Sequence, residues 1–293
     1  MSSSHNTPEK RIIVTGAAGR LGRAVASKFH ESGFTVVATD VLPATGAPYP
    51  FVQVDLRDHE AVLELLHGAN VVVHLGNHPG IGATPPQVVF NENVAINENI
   101  FQGAAETTVD TIVFASTIQL IGSKPDLRTV STPPDRPDFP LSNTTLAQPA
   151  NVYALSKDIS EHMLRYYAER CGLSVTALRL PLLHNTEAHF AIHLDRETPD
   201  DIYEGFTGLT YDDAARLFLA VVQAELTGFN VFIAAESHRH VGLNLDEVMQ
   251  RFFPETSTGI VDLEPVTRAT GWSPSPTVWP PVDHNEPHGG DSQ

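Results

Sequence analysis

The sequence predicts an α/β protein, a doubly wound parallel sheet with helices on both faces and a small C-terminal lobe. Three observations carry this expectation. Short apolar, β-branched runs alternate with helix-length amphipathic segments from Arg11 to Leu180, a glycine-rich turn stands between the first run and the first helix, and the rhythm loosens beyond Pro181.

Each element has its own local reason. Arg11 to Thr15 has the length and apolarity of a buried strand, and Leu21 to Ser32 carries apolar positions at helical period up to Gly33, a C-terminal stop. Thr35 to Asp40 is a second strand, rich in β-branched residues. Asp58 is placed to cap a helix that runs through Leu66 and ends at Gly68, and Val71 to Leu75 is the third strand. A long helix from Pro86 to Glu106 feeds a strand at Thr111 to Ala115, after which a polar, proline-rich loop runs to about Ala150. Val152 to Arg170 follows as a helix with Gly172 at its end, then Ser174 to Leu180 as a strand. Beyond Pro181 come an irregular stretch to Thr210, a helix from Asp212 to Ala224, a strand near Val231 to Ala234, and short helical pieces near Asp246 and Glu264. Strands joined by helix-length crossovers are parallel neighbours, which is the basis of the doubly wound sheet.

Composition narrows the function classes. A chain of 293 residues that is 41% hydrophobic buries a full core as one domain, or as one domain with a small lobe. Eighteen basic residues against 35 acidic give a formal charge of -17, which repels phosphate backbones and anionic lipid, so neither nucleic acid nor membrane is an expected partner. No apolar run approaches the roughly 18 residues of a membrane span, and Met1 to Lys10 has no apolar signal-like stretch. The single cysteine, Cys171, has no internal disulfide partner, and a reducing cytoplasm is the expected compartment. Fourteen histidines raise the question of a metal, with His189 and His193 four residues apart and His238 close to His240. Without a cysteine pair or a His-Glu-x-x-His run, no metal site is expected.

Two motifs carry chemistry. The first is Thr15-Gly16-Ala17-Ala18-Gly19-Arg20-Leu21-Gly22, between the first strand and the first helix. Glycines there let the backbone turn tightly and approach a pyrophosphate, while Arg20, Leu21 and Gly22 open a helix whose free N–H groups favour an anion. Asp40 closes the second strand about twenty residues past the glycines, where a carboxylate accepts from adenosine ribose hydroxyls and repels a 2′-phosphate. NAD is therefore expected over NADP, with Arg20 and Arg57 as the residues able to soften that preference. The second motif is Tyr153-Ala154-Leu155-Ser156-Lys157 near the start of its helix, where positions i and i+4 share a face. An ammonium at Lys157 favours the Tyr153 phenolate, which makes Tyr153 a proton acceptor for a carbinol or a donor to a carbonyl.

With these residues the sequence resembles the extended short-chain dehydrogenase/reductases, the NAD-dependent epimerase/dehydratase family, over about Arg11 to Trp272. The resemblance implies a Rossmann fold and NAD as cofactor. It extends to Asp55-Leu56 at the adenine, Leu75-Gly76 within Val73-His74-Leu75-Gly76 at the pyrophosphate, and Asn93 and Asn99 on the long helix. It includes Val113-Phe114-Ala115-Ser116-Thr117 with Gly122, Arg179-Leu180-Pro181 at the end of the Ser174 to Leu180 strand, Tyr211-Asp212-Asp213, and Gly271-Trp272-Ser273-Pro274. By that register Thr117 joins Tyr153 and Lys157 as the catalytic set, with Lys157 also holding the nicotinamide ribose and Pro181 lining the cofactor. The implied organisation is a flexible tail at 1–10, an NAD-binding Rossmann domain at 11–181, a substrate lobe at 182–279 interleaved with the end of the sheet, and a disordered tail at 280–293. Family resemblance also implies a homodimer packed through the long helix and the Tyr153 helix.

The resemblance is less informative about the substrate, and departures from it are as useful as matches. Gly205 and Phe206 stand where nucleotide-sugar enzymes of the family carry an arginine for the diphosphate, which points to a dehydrogenase of a small, sugar-like molecule. The sequence is nearest in look to small sugar and uronate dehydrogenases, yet it has Thr117-Ile118-Gln119 and Tyr203 where a uronate site differs. Asn77, His78, Gln119, Asn185 and Tyr203 are the expected substrate contacts, suited to an uncharged sugar, polyol or lactone. An epimerase that retains NAD, and a non-catalytic NAD-binding protein, are the alternative readings.

Overall fold

The computed structural model describes residues 10–80, 84–122, 131–132, 134–135, 137–185, 207–237, 250, 254 and 259–275. The tails expected at either end, the helical piece near Asp246, and Tyr203, Gly205, Phe206, His189, His193, His238 and His240 fall outside these residues, wholly or but for Lys10.

Seven strands form one parallel sheet. They are β1 (Arg11–Thr15), β2 (Thr35–Asp40), β3 (Phe51–Gln53), β4 (Val71–His74), β5 (Thr111–Thr117), β6 (Ser174–Leu180) and β9 (Phe229–Ile233), in the order β3-β2-β1-β4-β5-β6-β9. In β1 and β4 every residue after Arg11 is buried, because helices cover both faces of a parallel sheet. That is why these strands show continuous apolar runs and no alternation. A second, three-stranded sheet joins β7 (Leu182–His184), β8 (Thr207–Thr210) and β10 (Glu236–Ser237) in the order β10-β8-β7.

Helix α1 (Arg20–Glu31) buries Gly22, Val25, Ala26 and Phe29, a stripe at helical spacing, and joins α5 (Tyr211–Gln223) and α6 (Glu264–Thr270) over one face. The other face holds α2 (His59–Leu66), α3 (Pro86–Glu106) and α4 (Val152–Cys171). Asp58 Oδ1 accepts from Ala61 N at 3.2 Å and starts α2, and Asn151 Oδ1 accepts from Ala154 N at 2.8 Å and starts α4. Gly172 closes α4 at φ 75°, a left-handed conformation that glycine adopts without strain.

Within the described residues the expected elements are present, with β5 extended to Thr117. The sequence reading missed β3, β7, β8 and β10, which have three, three, four and two residues. Segments this short carry no period of their own, and pairing with a longer neighbour defines them, as Ala38 to Asp40 of β2 does for β3. Strand order reverses between β1 and β4, so the loops after these strands diverge and open a crevice at the carboxyl end of the sheet.

Candidate active site

A cleft of about 890 Å³ runs along that crevice from Asp40 to Tyr153. One end is built on the glycine turn. Gly16 has φ 67°, and a Cβ there would lie 2.7 Å from the Leu75 carbonyl oxygen; a Cβ on Gly22 would lie 2.1 Å from the Gly16 carbonyl oxygen. Neither position admits a side chain, so α1 starts hard against the strand ends. No side chain caps α1 and its first turn holds no acid, which leaves its first N–H groups facing the cleft that Gly19, Arg20, Leu21 and Gly22 line.

Asp40 Oδ2 accepts from Ala18 N and Oδ1 from Leu42 N, each at 3.0 Å, which orients the carboxylate at the cleft wall. Arg57 is committed elsewhere. Its Nε and Nη2 donate to Asp55 and its Nη1 to Glu92 Oε1 at 2.8 Å, while Glu92 Oε2 bonds His78 Nε2 at 2.7 Å. Arg57 thus holds the Asp55 carboxyl below the usual carboxylate range, and His78 with Arg57 does the same for Glu92. A closed glycine turn, open helix N–H groups and an oriented Asp40 fit a dinucleotide of the NAD type.

The other end of the cleft is built on β5 and α4. Lys157 is 3% exposed, and its Nζ donates to Asn77 Oδ1 at 2.6 Å and to the Ala115 carbonyl at 2.8 Å. It stands 4.5 Å from the Phe114 ring centroid and 5.9 Å from that of Tyr153. Burial pushes the Lys157 ammonium down to about 7, with the Glu161 carboxylate one turn along the helix pulling the other way. Thr117 ends β5, and its Oγ1 accepts from Gln119 N at 3.2 Å to cap a 3-10 turn, Ile118–Ile121, that Gly122 closes at φ 97°. Gln119 Oε1 accepts from Asn151 Nδ2 at 3.3 Å, so Thr117's turn is tied to the cap of the Tyr153 helix.

Behind this end lies an ion pair removed from solvent. Arg179 donates from Nε to Glu161 Oε1 at 3.1 Å and from Nη2 to Oε2 at 2.8 Å, while Ser116 Oγ donates to Glu161 Oε1 at 2.6 Å. Arg179 Nη1 also holds the Thr145 carbonyl at 2.9 Å, which anchors the proline-rich loop. The α3–α4 contact is polar at its centre: Asn93 Nδ2 donates to Ser156 Oγ at 3.2 Å and Asn97 Nδ2 to Ser160 Oγ at 2.6 Å.

The cleft gathers most residues singled out from the sequence. Its walls include Gly16, Asp40, Asp55, Leu56, Leu75 and Gly76 towards one end and Thr117, Gln119, Tyr153, Lys157 and Pro181 towards the other, with Asn77 and His78 between. Asn93 does not line it. Its side chain is buried behind the wall, where Oδ1 accepts from His78 N at 2.8 Å. Asn185 lies outside the lining too, with its carbonyl accepting from His184 Nδ1 at 2.8 Å, and Asn99 Nδ2 holds the Leu56 carbonyl at 2.9 Å. The sequence reading did not single out Asn97, Glu161, Ser160, Glu92 or Asn151. A signal was there in part: Asn93 with Asn97, Ser156 with Ser160, and Lys157 with Glu161 each repeat at i, i+4, and so mark one polar helix face.

Residues 12–190 match the model of the NAD dependent epimerase/dehydratase family. The chain belongs to that family. NAD is its cofactor. Among curated relatives, the chain is 27% identical to an NAD-dependent glucose-6-phosphate dehydrogenase of Haloferax volcanii, over 74% of this chain and 82% of the relative. It is 25% identical to a uronate dehydrogenase of Pseudomonas putida, over 80% of each. A solved variant of uronate dehydrogenase from Agrobacterium tumefaciens, complexed with NAD, superposes with a TM-score of 0.67 at 24% identity, covering 94% of this chain and 92% of that one. The last likeness bears on the fold alone.

Proposed function

We propose that the protein is an NAD-dependent dehydrogenase that oxidises a carbinol of a small, uncharged sugar, polyol or related lactol. The observation that carries this is one cleft lined at one end by the glycine turn with Asp40 and at the other by Tyr153, Lys157 and Thr117. The names of the relatives, dehydrogenases of a sugar phosphate and a uronate, support the sugar class.

In this reading Asp40 accepts from ribose hydroxyls, and the N–H groups of Arg20, Leu21 and Gly22 receive the pyrophosphate. Asp55, Leu56, Leu75, Gly76 and Pro181 form the walls, and Asn93 supports them from behind. Bound NAD supplies a hydride acceptor. Thr117 holds the substrate oxygen through its hydroxyl, and Tyr153 removes the carbinol proton. Lys157 has two roles. As an ammonium it favours the phenolate, and it offers N–H donors to the nicotinamide ribose. His78 and Gln119, with Tyr203 from the lobe, are the proposed substrate contacts; Asn185, outside the cleft lining, is not among them. Residues 11–181 carry the cofactor and 182–279 form the substrate lobe.

We place the enzyme in the cytoplasm as a homodimer without nucleic-acid or membrane partners. The homodimer is supported by Leu155 and Tyr166, which leave 39% and 57% of their surface exposed on one side of α4. No helix among the described residues is long and apolar enough to cross a membrane.

The test is spectrophotometric. The protein is dialysed, mixed with NAD, and offered aldoses, polyols, uronates and sugar phosphates, with UDP- and GDP-sugars as the contrasting set. NADH absorbance rising with a free sugar is expected. Stoichiometric NAD released on acid denaturation, together with isomerisation of a nucleotide sugar and no net NADH, would establish an epimerase instead.

A further inference from the structure

Asn77 was expected to face substrate, but both ends of its amide are engaged within the protein. Its Oδ1 accepts from Lys157 Nζ at 2.6 Å, and its Nδ2 donates to Asn97 Oδ1 at 2.8 Å and to the Gly76 carbonyl at 3.1 Å. We propose that Asn77 is a positioning residue for Lys157: its amide oxygen is the acceptor that holds the ammonium beside Tyr153, and its orientation is set by a buried relay through Asn97 and His74 to Thr15 of the glycine turn. This rests on the role proposed above for Lys157.

The relay has a single consistent arrangement of protons. Thr15 Oγ1 accepts from Leu75 N and Gly76 N, each at 3.0 Å, so its own proton goes to His74 Nδ1 at 2.7 Å. His74 Nε2 must then carry the ring proton, which it donates to Asn97 Oδ1 at 2.8 Å. Burial pushes the His74 imidazole down to about 3, so it stays neutral and this pattern persists at working pH. The Asn97 oxygen therefore faces Asn77 and its nitrogen faces Ser160, so Asn77 must present nitrogen to Asn97 and oxygen to Lys157. A flipped Asn77 amide would set two N–H donors against an ammonium and leave two acceptors facing each other. Thr15 directly precedes Gly16, so the residues that shape the dinucleotide turn also orient the acceptor for Lys157, 80 positions away in sequence from Asn77.

Few charges compete for control of Lys157. The titratable groups facing it are Tyr153 and Glu161 of its own helix and His74 of β4; Ala115 and Phe114 of β5 and Asn77 and Asn97 bring only dipoles and a ring face. A change of charge at position 77 should therefore be felt directly by Lys157.

The experiment titrates the lysine itself, with no cofactor or substrate. The chain has four lysines, so lysine-selective isotope labelling yields four side-chain NMR signals, and Lys157→Met assigns the one of interest. Asn77→Asp keeps the shape and places a carboxylate at the ammonium, so the Lys157 midpoint should rise by about one pH unit or more. Asn77→Leu removes the acceptor and should lower it. Midpoints unchanged in both variants, with native circular dichroism, overturn the proposal; if Asn77→Leu does not fold, the near-isosteric Asn77→Asp decides alone. Because the titration is made without turnover, failure of the dehydrogenase reading leaves its outcome intact. Where turnover is measured, kcat of Asn77→Leu should fall on the order of tenfold with KM for NAD within about threefold. Loss of NAD affinity with kcat retained would make Asn77 a cofactor contact and overturn the positioning role.

Discussion

At the Asp40 end of the cleft the chain presents backbone N–H groups and charges open to solvent, whereas at the Tyr153 end it presents buried side chains bonded to one another. Asp40 and the Asp55–Arg57–Glu92 cluster act near the surface, where Asp40 holds the N–H groups of Ala18 and Leu42, and Arg57 joins Asp55 to Glu92. Lys157, Glu161, Arg179 and Asn97 are each below a tenth exposed and are joined by bonds that bridge helices and sheet. The difference predicts different consequences for the two ends, joined as they are through Thr15, His74, Asn97 and Asn77. Changes at the first end should alter cofactor choice and spare the fold, and changes at the second should strike activity and stability together.

The largest effect expected is on the buried pair. Glu161→Leu leaves the Arg179 guanidinium, 6% exposed, without its carboxylate, and should cost about 3–5 kcal/mol in denaturant unfolding. The double variant Glu161→Leu, Arg179→Met should recover most of that loss, since no uncompensated charge remains buried. A single variant as stable as the native chain would show that the pair is not the bolt between α4 and β6 inferred from its geometry.

Next in size is Tyr153→Phe, which keeps the ring and deletes the proton-transfer group. Turnover should drop on the order of 100-fold or more while NAD affinity by calorimetry stays within a few fold. Activity close to that of the native chain would remove Tyr153 from the chemistry.

Asp40→Ala should weaken NAD binding by roughly tenfold, the loss of a charged acceptor, and raise the relative affinity for NADP without changing the melting temperature. Native preference in this variant would place the ribose elsewhere. Smallest of all should be Arg57→Ala: its ion pairs are solvent-screened, and thermal unfolding should be indistinguishable from that of the native chain. A clear destabilisation there would erase the contrast between the two ends.

Much of this protein was determined by its sequence alone. Apolar runs placed the central strands, Asp58 and Gly172 bounded their helices, and the glycine turn, Asp40 and the Tyr153–Lys157 pair lay in the cleft as their spacing implied. These signals are local: a cap acts over three residues, a helix face over four, and a glycine at positive φ on its own turn. The tertiary structure decided what those residues lean on. Asn77 meets Lys157 across 80 positions and Ser116 meets Glu161 across 45, and both pairings depend on how α4 sits against β4 and β5. Nothing in Asn77's own neighbourhood in the chain separates an amide facing substrate from one facing a lysine. The two differ only in which buried donors and acceptors the fold brings within hydrogen-bond reach, and a polar group removed from water must satisfy those first.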